Sequence, residues 1–261
     1  DCKDKASLLV AMLRYKNIPA HLVLVNTEHL GRVERRCADW RDFNHAILVA
    51  ELPDGPVFCD PTIEGSTPGM LSPSSAERDV LVVSKPERWM RTPAQDAGRY
   101  SMNLDAQMSA TGELSGWATL EADGYLGAYF QNVEKKSTRE QLKERLRGHL
   151  EGVWQGAGVI DIKTTPRKPG APYRIQAYFI VPPSGSPTLR FPFDVSYLPD
   201  FGSGEKRQTD VFMWRDLNST NSVITLPPGV RPASVPSPMN VSHEHGSGSA
   251  RWNLDGGKLR A

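Results

Sequence analysis

Apolar positions near the start of the chain recur at helical spacing. Ala6, Leu9 and Leu13 share one face and Leu8 and Met12 widen it, which predicts a helix from Cys2 to Lys16. Its end is marked by three residues: Asn17 suits the left-handed conformation after the last turn, Ile18 can fold back as an apolar contact, and Pro19 forbids continuation. The run AHLVLVNT (20–27) then reads as a buried strand. After a polar stretch, FNHAILVAEL (43–52) and PVFCDPTI (56–63) are apolar runs separated by Pro53, Asp54 and Gly55, the signature of a hairpin. DVLVVS (79–84) predicts one more strand, and the stretch 86–98 reads as a linker.

Beyond about residue 100 the pattern changes. NLDAQMSATGELSGWATLEADGYLGAYF (103–130), YRIQAYFIV (173–181) and LRFPFDVSYL (189–198) are mostly strand-like runs punctuated by Gly and Pro, which predicts an antiparallel β region. One helix interrupts it from Thr138 to Trp154, opened by a capping box of Ser137 and Glu140 and striped by Leu142, Leu146, Leu150 and Val153. Gly148 and Gly152 weaken that helix. The Pro-rich run 225–238 is expected as an edge or a crossing loop. No repeat of fixed period appears. The chain therefore divides into residues 1–97 and 98–261.

Length agrees with two parts, since 261 residues with 39% apolar content can bury two modest cores. Thirty-one basic and thirty acidic residues leave a formal charge of +1, so no field of one sign steers the chain to nucleic acid or an anionic membrane. No apolar run approaches the roughly 20 residues of a spanning helix, and no signal-peptide pattern is present, although a leader would lie upstream. Three cysteines, Cys2, Cys37 and Cys59, are too few for a dense disulfide framework and direct attention to a leftover thiol.

Cys2 stands at the head of the first predicted helix, where unpaired amides and the macrodipole favour a thiolate. His45 lies near the start of one hairpin strand and Asp60 near the end of the other, so the antiparallel return brings both to one end. A thiol, an imidazole and an orienting carboxylate are the parts of a Cys-His-Asp triad. Register tests this. With the turn centred between Asp54 and Gly55, His45 faces Glu64 and Asp60 is four residues off; a turn one residue earlier halves the offset, so contact requires a shifted turn or a bulge. Each residue also has a plainer reading: Cys2 as a packed thiol, His45 as a core histidine beside Phe43, Ile47 and Val49, and Asp60 as a turn former before Pro61.

DCKDKASLLVAMLRYKNIPAHLVLVNT, FNHAILVAELPDG and VFCDPT, in this order, resemble the core of the transglutaminase-like superfamily of papain-like cysteine enzymes. The resemblance covers residues 1–63 and implies that Cys2 is the nucleophile, His45 the general base and later acid, and Asp60 the group that orients His45. LEADGYLGAYFQNVEKKSTREQLKERL and ITLPPGVRPASVPSP are similar, more loosely, to the carboxy-terminal domain of a bacterial branch whose core lies between two β-rich domains. The implied fold class is α+β: a papain-like transglutaminase core of helix plus antiparallel sheet, truncated at its N-terminus, then a mostly antiparallel β domain with one helix. The resemblance also implies an upstream domain, a protein or peptide substrate, no cofactor and an exported, cell-envelope (periplasmic) location. It further implies an oxyanion-stabilising side chain ahead of the cysteine, and losing such a donor costs about 2.7–4 kcal/mol.

The expected activity is amide or peptide chemistry through a thioester on Cys2, with hydrolysis the default over cross-linking because water is the abundant acceptor. The alternative is a catalytically impaired scaffold or protein-binding module of the envelope. No metal site is expected: His243 and His245 in HEH share one side of a strand, no third ligand is evident, and a solvated strand is the plainer reading. Cys59 reads as a small core residue, with a Cys37–Cys59 disulfide as the alternative for an exported chain. No Gly-rich phosphate loop follows a strand, so nucleotide use is not indicated.

Overall fold

The structure is a computed structural model that describes residues 1–27, 33–35, 39–165, 171–183, 216–243 and 246–261. Helix α1 (Cys2–Tyr15) opens the chain and strand β1 (Ala20–Val25) follows it. The turn between them is a Schellman ending: Asn17 takes φ 59°, its N–H donates to Arg14 O at 2.9 Å, and the Ile18 N–H donates to Leu13 O at 2.9 Å. Ala6, Leu9, Val10 and Leu13 face Ala20, Leu48 and Cys59. Leu8 and Met12, expected to widen the buried stripe, are instead 64% and 57% exposed. They sit roughly a third of a turn (Met12) to nearly half a turn (Leu8) away from the Ala6–Val10–Leu13 line, beyond the width one sheet face covers.

β2 (His45–Leu52) and β3 (Gly55–Cys59) form the expected hairpin, and β4 (Asp79–Val83) the expected further strand. The stretch expected to be a linker contains β5 (Arg88–Arg91). Its Trp89 and Met90 are half-buried between exposed arginines, a weak alternation that only pairing with β4 turns into a strand. The five strands make an antiparallel sheet of order β3-β2-β1-β4-β5. One face carries α1 and the other packs Val23, Val25, Ile47, Val49, Phe58, Val80 and Val82 around Leu71. Central strands buried on both faces explain the near-continuous apolarity of β1 and β2.

From residue 98 a second sheet begins. β6 (Gly98–Met108), β7 (Leu114–Ala122), helices α2 (Gly124–Lys135) and α3 (Arg139–Glu151), β8 (Gly158–Thr164), β9 (Tyr173–Val181) and β10 (Asp216–Thr225) follow in order. A two-stranded ribbon of β11 (Met239–His243) and β12 (Gly246–Ala250) and the short β13 (Asn253–Asp255) and β14 (Lys258–Arg260) close the chain. The seven-stranded sheet runs β13-β14-β10-β6-β7-β9-β8, antiparallel except for the parallel pair β6–β10. Leu126, Leu142, Leu150 and Trp154 cover one face, where the Trp154 and Phe179 rings stack 5.5 Å apart. Of the run 225–238, expected as an edge or a crossing loop, Thr225 ends β10 and residues 226–238 carry no strand. The run 189–198 and His245 lie outside the described residues.

The expected fold class is therefore corrected. Strand occupies 42% of the described residues and helix 21%, with three α-helices; a mixed α+β core leading to a β domain with a single helix is not what the chain forms, although the β-rich character holds. The extra helix is α2, which begins inside the run 103–130 expected to be strand-like and continues five residues past it. Gly124 starts it at φ 55°, close against Gly98, and the Leu126 N–H donates to Ala97 O at 2.9 Å. Anchoring of this kind is tertiary, and it overrides the aromatic and Gly-rich local pattern. The capping box of α3 is also one residue later than expected: Gln141 N donates to Thr138 Oγ1 at 3.2 Å and Thr138 N to Gln141 Oε1 at 2.8 Å, in place of Ser137 and Glu140.

Candidate active site

Cys2 is the first residue of α1, whose N-terminus is capped by the Asp1 side chain accepting from the Asp4 N–H at 3.1 Å. Because α1 lies across β1 and β2, its first turn ends beside the start of β2, where His45 stands. The approach to His45 is pinned by Asn44, whose Oδ1 accepts from Thr27 N at 2.8 Å and Thr27 Oγ1 at 3.1 Å.

The hairpin decides whether His45 meets Asp60. Leu52 pairs with Gly55 and Leu48 with Cys59, so the turn is centred between Pro53 and Asp54 rather than between Asp54 and Gly55. No bulge interrupts this ladder. The chain leaves β3 at Asp60 and turns at once, with Asp60 Oδ1 accepting from Thr62 N at 2.9 Å and Thr62 Oγ1 at 2.6 Å. That turn swings the carboxylate back over the remaining two-residue offset. His45 Nε2 lies 2.8 Å from Asp60 Oδ2, with side-chain exposures of 18% and 2%. Nδ1 is left for the other side of the ring, and Cys2 stands near enough to the imidazole for each to shift the other's ionisation. Of the three residues singled out in the sequence, His45 and Asp60 are in direct contact and Cys2 is their electrostatic neighbour through His45.

Their ionisation is coupled. Burial works against a Cys2 thiolate, but the Ala46 N–H, the His45 ring and the Lys3 N–H together outweigh it, and the thiol is held below its ordinary 9.0. The β2–β3 ladder ends at Leu48↔Cys59, two residues from Ala46 along β2. The hydrogen bond that the His45 ring donates to Asp60 raises His45 above its ordinary 6.5 against the opposing effect of burial, helped by the Asp60 charge and by Cys2. Burial would raise Asp60, yet its bonds to His45 and Thr62 hold it below 3.8. A lowered thiol beside a raised imidazole shifts the pair toward the thiolate–imidazolium form. The Cys2 amide, in the first turn, has no intrahelical partner and points the same way as the other free amides of the helix N-terminus.

A cavity of about 340 Å³ adjoins the carboxylate side of the pair. His45, Asp60 and Thr62 form one wall, and Tyr125, Tyr129 and Asn132 of α2 form the opposite one; Cys2 is not part of its described lining. Lys135 of α2 stands 4.0 Å from Glu64 on the rim. Burial, the neighbouring Tyr129 and the Asp60 charge push the Tyr125 phenol up, in keeping with its place over the carboxylate. The role of Thr62 could have been found in the sequence, since Asp-Pro-Thr is an Asx-turn pattern. The α2 wall could not, because its helix was not legible.

Other expectations resolve more simply. Cys59 is a free thiol packed with Val10, Ala20 and Leu48, and Cys37 lies outside the described residues. Among the described residues no cluster of three His, Cys, Asp or Glu could hold a metal, and His243 sits on the exposed ribbon β11. Among them, too, no helix is long and apolar enough to cross a membrane. Compared with protein-family models, curated proteins and solved structures, the chain matches none.

Proposed function

We propose that this chain is a cysteine-dependent acyl-transfer enzyme acting on amide or peptide bonds through a triad of Cys2, His45 and Asp60. The observation that supports this most is the 2.8 Å contact of His45 Nε2 with Asp60 Oδ2, with Cys2 at the head of α1 close enough to His45 for each to shift the other's ionisation. The transglutaminase-like resemblance, which rests on the sequence alone, implies the same three roles.

In this reading the Cys2 thiolate attacks the substrate carbonyl carbon and a C–S bond forms. The first-turn amide of Cys2 donates to the developing oxyanion. As the C–N bond breaks, His45 gives its Nδ1 proton to the departing amine, leaving a thioester. Neutral His45 then takes a proton from water, the hydroxide attacks the thioester, and C–S cleavage returns the thiolate and releases the acid. An amine in place of water would give a cross-linked amide, and hydrolysis remains the default. Asp60 stays ionised and keeps the imidazole in the tautomer with Nε2–H toward its carboxylate.

The test is selective alkylation. Iodoacetamide at neutral pH is expected to modify Cys2 well ahead of Cys37 and Cys59, mapped by peptide mass spectrometry. A Cys2 no faster than a model thiol would remove the basis for the triad.

A further inference from the structure

The helices cover one face of the seven-stranded sheet. Met102, Leu104, Ala118 and Phe179 pack beneath Leu126 and Trp154, so the residues that alternate with them along β6, β7 and β9 point the other way. Among the described elements only α2 and α3 make extended contact with the broad faces of this sheet, and both lie on the first face.

On the second face the register lines side chains into rows that cross the strands. Asn221, Asn103, Thr119, Gln176 and Lys163 stand side by side on β10, β6, β7, β9 and β8, with Asn221 and Lys163 exposed and the other three half-buried. Asn221 Nδ2 donates to Asn103 Oδ1 at 3.0 Å and Gln176 Nε2 to Thr119 Oγ1 at 3.1 Å. These bonds orient the amides and leave the Asn103 NH2 group and the Asn221 and Gln176 carbonyls for another partner. The next row sets Trp117 beside Tyr178, ring centroids 5.3 Å apart, with the Lys163 ammonium 4.3 Å from the Trp117 centroid. Charge around the two rows cancels: Asp105, Glu121 and Asp161 stand against Lys163, Arg174 and Arg139, with Arg174 Nε 3.3 Å from Glu121 Oε1 and Arg139 bonded to Asp161.

This composition narrows the ligand. Amides and hydroxyls both donate and accept, and so match a partner whose own groups do both. The aromatic pair offers apolar ring surface to C–H groups. Balanced charge gives no hold on a polyanion such as nucleic acid. A carbohydrate without charged groups has the complementary set, hydroxyls around its edge and C–H groups on its ring faces. An exposed cation–π contact is weak, so a sugar ring can take the place of the Lys163 ammonium on the indole while that ammonium turns to the hydroxyls. We infer that this face is a binding surface for an uncharged oligosaccharide, with Trp117 and Tyr178 as the stacking platform and Asn103, Thr119 and Gln176 as the hydrogen-bonding row. None of these residues lines the cavity beside His45 and Asp60, so the inference stands apart from the acyl-transfer reading.

The experiment uses the full chain and follows tryptophan indole and side-chain amide signals by NMR. The neutral probes are cellohexaose, chitohexaose and maltohexaose, and the polyanion is hexauridylate. The inference expects a saturable shift of the Trp117 indole, assigned by its absence in Trp117→Phe, with at least one hexasaccharide, and an affinity that about tenfold more salt leaves unchanged. Trp117→Ala is expected to weaken that binding at least about tenfold and Gln176→Ala at least about fivefold, whereas Tyr15→Ala, on exposed α1, leaves it as it was. Melting temperature is read on each variant, and if Trp117→Ala fails to fold, Gln176→Ala and Asn103→Ala carry the test. The inference is overturned if no hexasaccharide binds saturably, if binding survives Gln176→Ala and Asn103→Ala undiminished, or if the shifts fall on signals away from Trp117. Tighter, salt-sensitive binding of hexauridylate at Trp117 would also overturn it, in favour of a nucleic-acid surface.

Discussion

Replacing Asp60 by Asn is nearly isosteric and tests the part of the site that burial makes most consequential. In Asp60→Asn the amide carbonyl can still accept from Thr62, but the new NH2 group faces His45 Nε2. That ring nitrogen must then accept, so the proton moves to Nδ1, toward the thiol, and neutral His45 can no longer take a proton there. The ion pair is lost as well. At 2.8 Å and with 2% of the Asp60 side chain exposed, the contact is a charge-assisted hydrogen bond shielded from water. Such bonds contribute about 1.5–3 kcal/mol, which corresponds to about 10- to 150-fold in the population of the thiolate–imidazolium state. The rate of Cys2 alkylation by iodoacetamide at neutral pH should fall by that factor, while Cys59, measured in the same digest, keeps its rate. A change of less than about twofold would mean that Asp60 does not set the charge state of His45, and the reasoning from geometry to reactivity would be wrong.

Thr62→Val removes the 2.6 Å bond to Asp60 Oδ1 and leaves the backbone bond in place, so Cys2 alkylation should slow by about fivefold, roughly 1 kcal/mol, with the His45 midpoint by NMR moving down. The His45–Asp60 pair should also stabilise the fold in a defined pH window. His45, raised by its partner, contributes fully below 6.5 and loses the contribution as pH rises through its raised value; Asp60, lowered, contributes fully above 3.8 and loses it as pH falls. The Tm difference between the natural chain and Asp60→Asn should therefore be largest between 3.8 and 6.5 and shrink on both sides, and a difference independent of pH would contradict the linkage. Asn17→Val forces a β-branched residue to φ 59° and should lower stability by about 1–2 kcal/mol in thermal denaturation, whereas Asn17→Gly should not.

What the sequence disclosed and what it hid follow from one physical difference. Cys2, His45 and Asp60 were legible because each is tied to a local signal: a helix head, the start of an apolar strand and an Asp-Pro turn at the end of its partner. Their approach depended on the register of a two-residue turn, and Pro53 with Gly55 allowed two placements that only the ladder from Leu52↔Gly55 to Leu48↔Cys59 separates. α2 was hidden because Gly124, Gly127, Tyr125, Tyr129 and Phe130 are poor or indifferent helix formers. What holds it is burial of Leu126 and Phe130 on the seven-stranded sheet and the bond to Ala97, contacts with residues remote in sequence or behind a turn. β5 was hidden for the same reason, since its alternation becomes a strand only against β4. The wall that α2 adds to the cavity could not be read before α2 itself.

The central claim is that His45 lowers the pH at which the Cys2 sulfur becomes a thiolate. Ultraviolet titration of the thiolate, taken as the difference between the natural chain and Cys2→Ser and repeated with His45→Gln, measures this directly. The account predicts a midpoint below 9.0 in the natural chain and an upward move when the imidazole is removed. A midpoint at or above 9.0, unchanged by His45→Gln, would contradict it.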